Sequence, residues 1–233
     1  MSLLEELKIK LKKSAKPETK KVLEYFFKTK PGDYAENDIF LGVKVPEMRK
    51  IATKYYSLPF KDLEKLLNDK IHEYRFIALI ILSENFKKED EKGKKEIFNF
   101  YLKNIRTIDN WDLVDLSAPK IVGAYLGNKD KRILYKLARS KNFWERRIAI
   151  VSTFSFIRNN DFFDTLTISE LLIDDEEDLI HKAVGWMLRE LGKKDKTVLI
   201  LFLNKFANQM PRTMLRYSIE KFSKAERKKY LKK

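Results

Sequence analysis

From Leu3 to Phe222 the apolar residues of this chain recur at helical spacing, and the helices resemble one another. No other feature restricts the fold as strongly. In EEDLIHKAVGWMLREL (176–191), Ile180, Ala183, Val184, Met187, Leu188 and Leu191 fall at i, i+3, i+4, i+7, i+8 and i+11, the stripe of an amphipathic helix. Glu176 and Glu177 suit its first turn and Gly192 suits its C-cap. The same pattern predicts helices near 3–14, 17–29, 46–56, 60–69, 72–87, 92–104, 110–126, 130–139, 143–158, 162–173, 196–207 and 211–222. The apolar run from Ile77 to Leu82 has the length of a strand. It continues a helical pattern running from Glu73 to Phe86, so it is read as a buried helix.

The helices pair, and the second member of each pair repeats: HEYRFIALIILSENF, NWDLVDLSAPKIVGAY, NFWERRIAIVSTFSF, DLIHKAVGWMLREL and RTMLRYSIEKFS. Aligned, they place Phe76, Asp115, Arg147, Lys182 and Arg216 in one column, at intervals of 39, 32, 35 and 34 residues. That irregular period belongs to an all-α solenoid of HEAT-like helix pairs, near the short end of the class. A lone pair cannot bury its apolar face, so neighbours must stack. The expected product is a single repeat domain over 1–233, curved, with a basic concave face. Such a fold carries no inherent chemistry, and function must come from what the concave helices present.

Charge names the partner class. With 49 Lys+Arg against 34 Asp+Glu the net charge is +15, a surplus that repels itself unless a polyanion offsets it. Nucleic acid is the first expectation and an anionic membrane surface the rival. No run approaches the roughly 20 apolar residues of a spanning helix. MSLLEELKIKLKK lacks the apolar core and cleavage site of an export signal. The absence of cysteine excludes disulfides, Cys-ligated zinc and iron–sulfur clusters and suits a reducing compartment. With His72 and His181 the only histidines, no His-based metal centre is expected, although a carboxylate-bound ion stays open. No cofactor is expected. With only 7 Gly and 6 Pro the chain cannot punctuate an all-β sandwich. The expectation is a cytoplasmic, nucleoid-associated monomer without a membrane role, ending in the basic stretch KAERKKYLKK (224–233) as its nearest thing to a tail.

One set of residues resists a purely structural reading. On a wheel with Ile180 at zero, the apolar stripe of 176–191 centres near about 10°, Lys182 near about 200° and Trp186 near about 240°. Taken alone, Trp186 is more simply read as packed on a neighbouring repeat. Trp111 and Asp115, however, are i, i+4 and share a face, and Trp144 lies beside Arg147. All three tryptophans thus flank column residues, although Trp144 also fits a core position. Asp115 is the anion in a column that continues Arg147, Lys182 and Arg216. Those cations suit a phosphate backbone; a carboxylate there repels it. The plain alternative is an ion pair within the protein, for which Arg147 is a candidate. The functional reading reserves Asp115 for a cationic centre, as an N-alkylated purine is. Loss of such a base passes through an oxocarbenium-like sugar, which carboxylates stabilise in glycoside hydrolases. Aromatic faces attract cations by ~0.5–2 kcal/mol. An alkylated base leaves without a general acid, so no histidine is expected to serve at the column.

FLGVKVPEMRKI (40–51), NWDLVDLSAPKIVG (110–123), NFWERRIAIVS (142–152) and HKAVGWMLREL (181–191) stand in the order and spacing of a known family. Through them nearly the whole chain resembles the AlkD branch of the AlkC/AlkD DNA alkylation repair glycosylases. The resemblance implies a HEAT-like solenoid that clasps double-stranded DNA and hydrolyses the N-glycosidic bond of cationic N3- or N7-alkylpurines, leaving the damaged base stacked. It implies that Trp111 and Trp186 contact the lesion and its deoxyribose, that Asp115 is the catalytic carboxylate, and that Arg147 binds the backbone near the lesion. Lys182, Arg216, Lys44, Arg49 and Tyr34 are then further DNA contacts. Two departures stand out. The family tyrosine ahead of the FLG motif meets Tyr34 only across a one-residue gap, and an aromatic pair that can precede the HKAVGW segment is here Asp178-Leu179.

The competing readings are a non-catalytic HEAT-type module, binding nucleic acid or serving as a protein scaffold, and an RNA-binding repeat protein. The first gives Asp115 no role. The second needs polar, base-reading side chains at fixed repeat positions, which this mainly cationic, irregularly spaced column does not supply. Neither G-x-x-x-x-G-K-[ST] nor G-x-G-x-x-G is present, which disfavours other nucleotide enzymes.

Overall fold

The computed structural model describes residues 1–232, and every regular element in them is a helix. None is long and apolar enough to cross a membrane among the described residues. The chain divides into two compact units, Met1–Ser117 and Ala118–Lys233.

The first unit holds α1 (Leu3–Lys13), α2 (Pro17–Phe27), α3 (Val45–Ala52), α4 (Phe60–Leu67), α5 (His72–Lys88), α6 (Glu91–Lys103), a 3-10 turn at Ile105–Thr107, and α7 (Trp111–Ser117). Its centre is α5, packed by α3, α4, α6 and α7. The strand-length run Ile77–Leu82 is inside this helix and wholly buried, as its apolar neighbours on both sides require. A helix covered on all sides needs no polar face.

The second unit begins with a π-helical stretch, Pro119–Gly123, running into α8 (Ala124–Leu126). There follow α9 (Arg132–Ala138), α10 (Phe143–Ser152), α11 (Phe154–Arg158), α12 (Phe163–Leu171), α13 (Asp178–Lys194), α14 (Lys196–Phe206), α15 (Arg212–Ser218) and α16 (Lys224–Leu231). Here α13 is the hub, against α10, α11, α12, α14 and α15.

The predicted helices all exist, with four local corrections. The helix expected over 110–126 is broken by Pro119, which offers no N–H to the Asp115 carbonyl one turn back, and the ladder shifts to a wider turn, with Gly123 N–H donating to the Ala118 carbonyl at 2.9 Å. The 143–158 helix is two, joined at Thr153. Gly192 is no cap: α13 runs on to Lys194, and a side chain at Gly192 would enter Leu199, whose Cβ would lie 3.3 Å away. The basic end is a helix rather than a tail. Ser223 and Glu226 close a capping box on α16, a signal legible as S-x-x-E.

Gly185, one residue before Trp186, sets how closely α13 and α15 approach. A Cβ there would stand 2.5 Å from Tyr217 Cβ and 2.6 Å from the Met214 carbonyl oxygen. Alanine gains about 1 kcal/mol in helix propensity, but overpacking against backbone costs about 1–3 kcal/mol. Because one of the contacts is with backbone, the upper end of that cost applies, and the net loss of about 2 kcal/mol in Gly185→Ala is expected to lower the melting temperature by roughly 4–8 °C. An unchanged or higher melting temperature in a thermal scan contradicts the packing described.

Candidate active site

Trp111 opens α7 and Asp115 follows one turn later, so both project from one face. Neither is in the core: both are half-buried. The indole is fixed from three sides. Phe27 stacks on it at 5.1 Å and 15°, Phe26 meets it edge-on at 5.7 Å, and its Nε1 donates to the Tyr34 hydroxyl at 3.1 Å. Phe26 and the neighbouring Tyr25 are exposed on α2. Below Asp115 lies Tyr101, fully buried, its hydroxyl 3.1 Å from Ser117 Oγ. Burial pushes the Tyr101 phenol up, the Ser117 bond pulls it down, and the Asp115 charge adds to the rise. A fully buried phenol thus lies close enough to Asp115 to feel its charge.

The segment carrying Tyr34 is tied down by α5. Buried Glu73 accepts from the N–H groups of Leu41 (2.9 Å), Gly42 (2.8 Å) and Val43 (3.1 Å). An isolated parallel bridge joins Ile39 to Ile71. Gly42 is required twice over: its φ is +95°, and a Cβ would run into the Lys16 carbonyl and lie 2.7 Å from Lys20 N at the start of α2. Lys44 and Arg49 leave this anchored loop and α3 as exposed cations.

Between the loop and α7 lies a buried ionic cluster that sequence reasoning did not find. His72 Nδ1 faces Asp38 Oδ2 at 3.1 Å and its Nε2 faces Asp112 Oδ2 at 2.8 Å. Arg75 pairs with Asp38 and, at 2.6 Å, with Asp109; Asn110 donates to Asp38 at 2.8 Å. A histidine thus stands close to the site, because Asp112 adjoins Trp111. Burial pulls the His72 pKa down, but Asp112, by charge and hydrogen bond, and then Asp38 overcome it and hold the value up at about 9. Burial raises Asp38, and the hydrogen bond from His72 with the Arg75 charge more than reverse this, leaving it below the usual range. Asp109, by contrast, is raised by burial, which Arg75 only partly offsets. The one available signal was local: HEYR and DNWD both open helices. The pairs lie 34 to 40 residues apart, about one repeat, but the repeat aligns helix faces and does not show which polar residues meet.

In the second unit Trp186 is half-buried on α13, off the apolar stripe as the wheel requires, with Phe154 5.8 Å away. The guanidinium of exposed Arg158 lies over that Phe154 ring at 4.6 Å, a cationic neighbour the sequence reading missed at the end of FSFIR. Arg216 is exposed. Lys182 is partly exposed and pairs with Asp178 at 2.7 Å. Arg147 stands apart from the other column cations: only 4% exposed, it donates from Nη1 to the Leu179 carbonyl at the start of α13. Both residues of the departing Asp178-Leu179 pair are thus in use. Trp144 is a core residue. Among the described residues no cluster of His, Asp and Glu has the arrangement to hold a metal ion.

The sequence model of the family described as DNA alkylation repair enzyme matches residues 7–222. Among solved structures, a predicted DNA alkylation repair enzyme from Enterococcus faecalis is similar at a TM-score of 0.69 and 17% identity, over 91% of this chain and 98% of that one. The crystal structure of smu.31 from Streptococcus mutans UA159 is similar at a TM-score of 0.50 and 20% identity, over 75% of this chain and 89% of that one. At such identities the likeness is one of fold, and the fold is helical throughout. No curated protein matches the chain.

Proposed function

The chain belongs to the DNA alkylation repair enzyme family, and on that footing we propose that it is an AlkD-like DNA glycosylase, hydrolysing the N-glycosidic bond of cationic N3- or N7-alkylpurines in duplex DNA. The observation that carries this reading is the pairing of Trp111 with Asp115 one turn apart on α7, half-buried and held in place. As the C1′–N bond breaks, its electron pair neutralises the alkylated base and positive charge passes to the deoxyribose. Asp115 stabilises that charge and takes a role in placing the water, whose oxygen bonds C1′ and whose proton is released. Each unit offers an aromatic face to DNA, Trp111 on the first and Trp186 on the second. Lys182, Arg216, Lys44 and Arg49 hold phosphates, and Tyr34 supports Trp111. Arg147 contributes by fixing the first turn of α13, which carries Lys182 and Trp186. The protein acts as one repeat domain, a monomer on DNA.

The test is direct. Incubation with a duplex carrying N7-methylguanine should release free base and leave an abasic site. Binding without release would transfer the assignment to a non-catalytic nucleic-acid-binding module. Within this reading Trp186→Ala should leave unfolding cooperative and lower the excision rate, since the ring lies off the core stripe. A drop in melting temperature of several degrees, as a core cavity gives, would make Trp186 structural instead.

A further inference from the structure

We infer that the Asp38–His72–Asp112 bridge is the positioning element of the site, locking the segment that carries Tyr34 to the helix that carries Trp111 and so fixing where the indole meets the lesion. This rests on the glycosylase reading above. His72 cannot itself meet DNA: it is 2% exposed, under Phe40 at 4.6 Å and beside Phe27 at 5.1 Å. Its two ring nitrogens both face carboxylate oxygens, so both must carry hydrogen and the ring is an imidazolium. One end holds the 33–43 segment through Asp38, and the other holds the first turn of α7 through Asp112, next to Trp111.

Stability alone does not account for such a cluster. Buried ion pairs are often replaced by apolar side chains without loss, and in some proteins what they add is a defined geometry, the role inferred for this one. The cluster is also incompletely paired: Asp112 Oδ1, Asn110 Oδ1 and Arg75 Nε are buried without a hydrogen-bond partner. The groups facing His72 come from every side. They are Asp38 from the loop, Asp112 from α7, and Arg75 on its own helix at 3.5 Å, with Asp109 behind Arg75; α2 contributes only Phe27. The raised pKa of about 9 fits this arrangement. Because the folded value lies above the ordinary histidine value of 6.5, the bridge is fully present below that value and is lost as pH rises through about 9.

The experiment is single-turnover release of N7-methylguanine by wild type and His72→Gln from roughly pH 6 to 10, read as the ratio of the two rates so that the substrate's own titration cancels. His72→Gln should release base about tenfold more slowly at neutral pH, with affinity for undamaged duplex within about twofold, and the gap should close above about pH 9 as the wild type loses its own bridge. A gap constant across the range, or none, overturns the proposal. Should His72→Gln not fold, Asp112→Asn decides: the alkaline fall in its rate must begin at lower pH than the wild type's, because the main charge supporting the imidazolium is gone. An unshifted profile overturns the proposal. A wild type that releases no base at any pH refutes the glycosylase reading instead, and the inference falls with it.

Discussion

Asp115→Asn should release N7-methylguanine roughly 10²-fold more slowly than wild type, the effect of losing one preorganised electrostatic group. The substitution keeps the size and shape of the side chain and removes its charge, so it isolates the electrostatic contribution. The carboxylate is half-buried, with fully buried Tyr101 close enough to feel its charge, and a charge so placed is expected to count for more than one in open water. The leaving base is already cationic and departs neutral, so no proton donor is needed. His72, the histidine near the site, is sealed from substrate and cannot supply one. Affinity for undamaged duplex should be unchanged or tighter in the variant, since a repulsion with phosphate is removed. Base release at the wild-type rate would contradict the role given to Asp115.

Binding to undamaged duplex should weaken steeply with salt. Lys44, Arg49, Lys182 and Arg216 are the exposed or partly exposed cations proposed for the backbone; Arg147, only 4% exposed, is not counted with them. Four neutralised phosphates give a slope of log K on log salt near about −3.6, so affinity should fall roughly 150-fold between 50 and 200 mM salt. Arg216→Ala should make the slope shallower by about 0.9 and weaken all sequences alike, because backbone contacts carry no base information. Asp178→Asn should act in the opposite sense by releasing Lys182 from its 2.7 Å partner. A slope near zero in a salt titration contradicts the backbone-contact assignment.

Most of the fold was legible because helical period is a local property: every predicted helix is present, and the buried α5 was read correctly from its continuation beyond Ile77–Leu82. The misses lie where tertiary contact overrules local pattern. Gly192 has the sequence position of a cap, and only the approach of Leu199 explains why a glycine is needed within the helix. Trp186 was singled out because it departs from the core stripe, and Trp111 and Asp115 because i, i+4 spacing puts them on one face; all three are half-buried, as that reading expects. Arg147 shares the column of Asp115, yet its guanidinium turns to the Leu179 carbonyl, which a wheel cannot show. The cluster of Asp38, His72, Arg75, Asp109 and Asp112 spans about one repeat, yet the apolar periodicity that defines the repeat says nothing of which polar residues pair. The cluster joins the starts of two helices and a loop, elements whose proximity is decided by the packing of α5 against α7.

The central claim is that this site removes bases because they are cationic. The most direct measurement compares wild-type release from two duplexes identical except at one position, cationic N7-methylguanine in one and neutral hypoxanthine in the other. The account predicts free 7-methylguanine from the first and intact DNA from the second. Release of both bases at similar rates would contradict it.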